Sequence, residues 1–164
     1  MKLRRIALAL ALIVSFGTAA CSRAEPVPAT AAPAWKLQSP DGKEISFAQF
    51  KGKVVVVDFW ATWCGPCRTE IPGYIALQKK HEKDGLVIVG IAVNDTADSV
   101  KAYMAKQGIN YPIVMGDDAV VEAFGGIEAI PTTFIIDREG KIRERKMGAV
   151  NHEEYAATVE KYLK

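Results

Sequence analysis

Cys64 and Cys67 are separated only by Gly65 and Pro66, and the chain holds one other cysteine, Cys21. On one turn of helix, residues i and i+3 share a face. Two cysteines so placed approach the separation a disulfide needs, roughly 5.5 Å between α-carbons. The chemistry that fits is a dithiol that closes and reopens. Zinc is a poor alternative, because a structural site takes four ligands. Only His81 and His152 remain beyond the pair, and His81 falls at the far end of the same helix. Attachment of a c-type haem needs His directly after the second cysteine, where Arg68 stands. A purely structural disulfide would close a very small loop and stabilise little beyond its own turn.

The elements on either side position the pair. Val54–Trp60 is a β-branched run and predicts a buried strand. A helix follows to about Asp84 and stops at Gly85. A strand feeding a helix puts Cys64 at the helix N-terminus, where unpaired N–H groups and the macrodipole favour a thiolate. Pro66 suits that first turn, because its missing N–H would be unpaired there anyway. Cys64 is therefore expected to be the more exposed, attacking thiol, with a lowered pKa, and Cys67 the resolving one. Asp58 lies on the strand beside Phe59 and Trp60. Burial should raise its pKa and suit it to take the proton of Cys67; the alternative is an acid that caps a turn. Pro72 falls inside the helix, where it removes a hydrogen bond. Trp63 is expected at the rim of the pair and Trp60 in the core. His81 and His152 are expected to be solvated surface residues.

Further elements complete a domain. Trp35–Gln38 and Glu44–Phe47 flank a Pro40-Asp41-Gly42 turn and pair as a hairpin. Leu86–Val93 predicts a second buried strand. Ala97–Gln107 predicts a helix capped by Asp95 or Thr96 and ended by Gly108. Asp118–Phe124 is a shorter helix. Thr132–Ile136 and Lys141–Met147 read as strands around residues 137–140, and a last helix starts at Asn151 with a capping-box-like Glu154. The order is hairpin, β, α, β, α, α, β, β, α. It predicts an α/β domain with a central mixed sheet and helices on both faces.

The N-terminus reads as an address. Lys2, Arg4 and Arg5 precede the apolar run Ile6–Phe16, and small residues follow, as in an export signal over residues 1–20. Thr18-Ala19-Ala20-Cys21 resembles a bacterial lipobox, with Leu usual where Thr18 stands; it implies a lipid anchor on Cys21. Cleavage after Ala20 as an ordinary secreted protein is the alternative. Residues 21–34, rich in Pro and Ala, form a tether that reaches on the order of 40 Å if extended. The domain proper is expected at 35–164. The formal charge of +2 rests on the leader, and without its three cations it becomes −1. Neither a nucleic-acid stripe nor a polybasic membrane patch is expected.

The segment Val57-Asp58-Phe59-Trp60-Ala61-x-Trp63-Cys64-Gly65-Pro66-Cys67 resembles the thioredoxin active site. The wider pattern is similar to the exported TlpA/ResA branch of that superfamily: Trp63-Cys64-x-x-Cys67-Arg68-x-Glu70-x-Pro72, then Ile130-Pro131-Thr132, then Asp137-x-x-Gly140. The likeness covers about residues 34–164. The peroxiredoxin relatives carry Thr three residues before a cysteine and no adjacent CxxC, so their pattern does not fit. The resemblance implies a thioredoxin fold with an N-terminal β-hairpin and a βα insertion. It implies a cis peptide at Pro131 that shapes Ile130 for pairing with a substrate strand, and a substrate surface of Trp63, Gly65, Pro66, Ile130 and Pro131. It makes Glu70 a functional acid beside Asp58, with a first-turn dipole partner as the plain alternative. The implied activity is thiol–disulfide oxidoreduction, running as a reductant of exported protein disulfides, with apocytochrome c as a substrate by analogy. The implied electron donor is a membrane protein of DsbD/CcdA type. No cofactor beyond the Cys64–Cys67 disulfide and no metal is expected, and the chain is expected to be a monomer. A thiol oxidant or disulfide isomerase is the alternative activity, and a non-catalytic binding module the alternative class.

Overall fold

The computed structural model describes residues 30–164. The expected export signal and Cys21 lie outside them, as does the expected tether up to residue 29.

The alternation of the apolar runs builds two cores against one sheet. Strands β1 (Lys36–Gln38) and β2 (Glu44–Ser46) form an antiparallel hairpin, and a 3-10 turn follows at Phe47–Phe50. Strand β3 (Val54–Trp60) is buried along its whole length. It is the central strand of a sheet ordered β5-β4-β3-β6-β7, where β4 is Leu86–Ala92, β5 Ile113–Met115, β6 Thr132–Ile136 and β7 Ile142–Met147. Strands β3, β4 and β5 run parallel; β6 pairs antiparallel with β3, and β7 antiparallel with β6. Successive side chains of a strand point to opposite faces. Val54, Val56 and Trp60 thus enter a core closed by helices α1 (Gly65–His81), α2 (Ala97–Gln107) and α4 (His152–Leu163). Val55, Val57 and Phe59 enter the other core, closed by helix α3 (Asp118–Ala123), the 3-10 turn and the hairpin residues Trp35 and Leu37.

Most element boundaries agree with the sequence to within a residue or two. Helix α1 ends at His81 rather than near Asp84, and a turn to Gly85, at φ 92°, completes the link to β4. Thr96 caps α2, its side chain accepting from the Ser99 N–H, and Gly108 closes it at φ 65°. Asn151 caps α4, accepting from Glu153 and Glu154 N–H. Strand β5 was missing from the expected order. Its three residues lie between Pro112 and Gly116, too short a run to show a period.

The end of the expected tether is in contact with the sheet. Ala31 forms an antiparallel bridge with Lys141. Ala32 N–H donates to Gly140 C=O, and Ile142 N–H to Thr30 C=O, both at 2.8 Å. Residues 30–32 therefore pack with the domain, because they satisfy backbone groups where edge strand β7 starts.

Candidate active site

Strand β3 delivers the chain to the carboxyl edge of the sheet, and residues 61–63 turn it into α1. The neighbouring loop holds this turn. Thr62 N–H donates to the Asp95 carboxylate at 2.7 Å, and the Trp63 indole N–H donates to Asn94 C=O at 3.0 Å. The sequence points to neither Asn94 nor Asp95 at the site, and offers Asp95 only as a helix cap.

Cys64 is the N-cap of α1. Its sulfur accepts from the Cys67 N–H at 3.2 Å, and Pro66 occupies the first turn. Cys64 and Cys67 are joined as a disulfide with their α-carbons 5.3 Å apart. Cys67 is fully enclosed and Cys64 retains 5% exposure. Cys64 is the more exposed of the two, as expected, although it shows solvent only a small part of its surface. With no acid in the first turn of α1, the positive helix end acts undiminished on the Cys64 sulfur.

The expected substrate-side residues ring the disulfide. Gly65 and Pro66 are exposed, and Trp63 is 61% exposed. The Ile130–Pro131 peptide is cis, and Ile130 C=O lies 3.8 Å from the Cys64 sulfur. Beside them runs a groove of about 330 Å3 between Trp63 and Ile130, with Asp117, Asp118 and Glu128 on its border. Those three acids form no ion pair among the described residues.

Both expected acids lie behind the disulfide, on the α1 side of the sheet. Asp58 is mid-strand and buried, so it caps no turn. Burial pushes its carboxyl well above the usual range, and the nearby Glu70 charge adds to this. Glu70 is also buried, and it lies beyond the first turn of α1, so it is not the first-turn dipole partner of the plain alternative. Burial raises its pKa, against the opposing pull of the Val150 N–H, which donates to Oε1 at 2.6 Å, and of His152. Trp60 is core, as expected.

The two histidines are not free surface residues. His81 lies between Asp84 and Glu160, at 2.8 and 3.0 Å. His152 covers Gly73 so closely that a Cβ there would fall 2.1 Å from its ring. Its Nε2 is 3.2 Å from Thr69 C=O, and its ring stands edge-on to Tyr74. Both contacts join α1 to α4, a pairing across about eighty residues that no local pattern reveals.

A model of the AhpC/TSA family matches residues 28–145. The chain belongs to that family. Within it, the relatives that follow are named as thiol–disulfide oxidoreductases or interchange proteins. The thiol–disulfide oxidoreductase ResA of Bacillus subtilis (strain 168) is 40% identical over 112 residues, 68% of this chain and 62% of the relative. ResA of Bacillus thuringiensis (strain Al Hakam) is 32% identical over 133 residues, 81% of this chain and 75% of the relative. A thioredoxin-family thiol:disulfide interchange protein from Chlorobium tepidum TLS superposes with a TM-score of 0.78 at 40% identity, covering 84% of this chain and 99% of that one. A second Chlorobium tepidum structure, described as a putative thiol:disulfide interchange protein DsbE, gives 0.77 at 25% identity, covering 83% and 97%. The architecture is the thioredoxin fold, and the chain is a thiol–disulfide oxidoreductase.

Proposed function

We propose that this oxidoreductase works as a reductant of disulfides in exported proteins, with Cys64 attacking and Cys67 resolving. The observation that carries the reading is the asymmetry of the pair: Cys64 caps the positive end of α1 at the rim, and Cys67 is sealed behind it. In the reduced enzyme the Cys64 thiolate attacks one sulfur of the substrate. The substrate S–S bond breaks, a Cys64–substrate disulfide forms, and the first substrate sulfur leaves as a thiolate. Cys67 then passes its proton to a buried carboxylate and attacks Cys64. The mixed disulfide breaks, the second substrate sulfur leaves, and two electrons have moved from enzyme to substrate. Asp58 is the acceptor nearest in role, because Glu70 is already tied to Val150. The Cys64–Cys67 pair is the only redox group this cycle needs.

Substrate strands lie along the exposed edge formed by Trp63, Gly65, Pro66 and Ile130, with Pro131 holding Ile130 in place. The leader supports a place in the bacterial cell envelope, on the periplasmic side, with Cys21 as a lipid anchor. There a membrane thiol donor of DsbD/CcdA type re-reduces the pair, and apocytochrome c is the substrate class suggested by the TlpA/ResA likeness. The chain acts as a monomer.

Cys67→Ala tests the roles. It is expected to trap a mixed disulfide through Cys64 in cell-envelope extracts, and Cys64→Ala is expected to trap none. The reverse pattern exchanges the roles. The reduction potential tests direction: a value near about −270 mV fits a reductase, and one near about −120 mV fits an oxidant.

A further inference from the structure

Behind the disulfide, five buried side-chain oxygens have no hydrogen-bond partner among the described residues: Asp58 Oδ1, Glu70 Oε2, Tyr74 Oη, Thr133 Oγ1 and Tyr155 Oη. They come from β3, α1, β6 and α4, yet they gather on one face of the sheet. Asp58 and Thr133 are directly opposite in the β3–β6 pairing, so their side chains are neighbours. Glu70 and Tyr74 are four residues apart on α1 and share a face. The Tyr74 and Tyr155 rings meet at 6.0 Å, and the Tyr155 hydroxyl is turned toward Thr133 without a well-formed bond. Buried polar groups left unpaired are costly. Internal water is the usual remedy, with about three hydrogen bonds per molecule to such groups.

A surface pocket of about 260 Å3 opens where β7 leads into α4. Two residues of its wall reach the buried cluster. Tyr155 contributes its hydroxyl, and Val150 donates its N–H to Glu70. The titratable groups facing the carboxyls are Cys67, Tyr74, Tyr111, Tyr155 and His152, with Glu144 acting on Tyr155. Among the described residues, no lysine or arginine pairs with Asp58 or Glu70. Lys146 and Glu154 stand at the pocket mouth.

We propose that these five groups hold internal water that carries the Cys67 proton from the carboxyls to bulk solvent at the β7–α4 pocket, with Tyr155 and Thr133 as its positioning residues. The inference rests on the dithiol cycle above. As Cys67 attacks, its proton moves to the Asp58 carboxylate. The resulting carboxylic acid returns to carboxylate by passing that proton through water to the surface. The departing substrate thiolate takes a proton from solvent, so no proton or electron is left over.

The test uses the purified, reduced full chain and an aromatic disulfide that releases one coloured thiolate at each step. The first burst reports Cys64 attack and the second reports Cys67 resolution. Tyr155→Phe and Thr133→Val are expected to slow the second burst roughly tenfold and leave the first unchanged, with partial recovery in concentrated imidazole or acetate buffer. A merely structural role would not give buffer rescue. Thr133→Val keeps the side-chain shape and serves if Tyr155→Phe fails to fold. A normal first burst with an unslowed second burst in both variants overturns the water path alone. Absence of any Cys64-dependent first burst in the parent chain overturns the dithiol cycle and the path together.

Discussion

Asp58 pays for its position in every state where it is charged. It is buried in mid-strand with one oxygen unpaired, and a second acid lies nearby. Its folded pKa stands above the unfolded value near about 3.9. Between those two values the folded state holds a proton that the unfolded state has lost, so stability falls as pH rises. Below the unfolded value both states are protonated and the penalty vanishes. Asp58→Asn removes the titration. The urea midpoint of that variant is expected to rise above the parent's at about pH 8, by roughly 1–3 kcal/mol of stability, and to match it near about pH 4. Equal midpoints at both pH values would mean that Asp58 does not titrate abnormally. A stabler Asp58→Asn variant would fit a carboxyl kept for the proton transfer proposed above.

At the scale of elements, α1 does two jobs. Its N-terminus presents Cys64, and its C-terminal half holds β4 through Gln78. Strand β5 pairs with β4 only from Gly90 onward, so the outer edge of residues 86–88 lacks a strand. The buried Gln78 amide stands in for one: it donates to Leu86 C=O at 3.1 Å and accepts from Ile88 N–H at 2.7 Å. Gln78→Ala leaves both backbone groups unpaired and is expected to cost about 2–4 kcal/mol. Chemical denaturation measures it, and a loss below about 0.5 kcal/mol would show that water repairs the edge. The substitution should leave the Cys64–Cys67 potential close to the parent's, because it lies three turns from the pair. Helices α1, α2 and α4 were legible from period and caps. Gln78 and β5 were not, because one depends on where a distant strand stops and the other is three residues long.

At the scale of the molecule, charge is uneven although the total is close to balanced. Asp117, Asp118 and Glu128 border the groove beside Trp63 and Ile130, and no lysine or arginine lines it. A peptide disulfide flanked by Arg or Lys is expected to be reduced several-fold faster than the same peptide flanked by Glu, at low ionic strength. The gap should close as salt shortens the screening length to about 8 Å and below. Stopped-flow rates for the two peptides at two salt concentrations check it, and a charge-independent rate would mean that substrates dock elsewhere.

Glu70 became a candidate only through the TlpA/ResA likeness; the redox pair, its order along the helix, the mixed sheet and Asp58 were legible in the residues themselves. Each of these is written in local spacing: a CxxC at a strand–helix junction, alternation of valines, a capping residue, an acid within an apolar run. Which groups meet depends on how the elements pack. The contact of His152 with Gly73 and the bond from Val150 to Glu70 join residues about eighty positions apart. Thr133 came beside Asp58 through β-sheet register, and Tyr155 beside Tyr74 through helix packing. Such meetings depend on how faces dock, and a face is made of side chains brought together from the whole chain. Spacing along the sequence tells which residues share a face and leaves open what that face will touch.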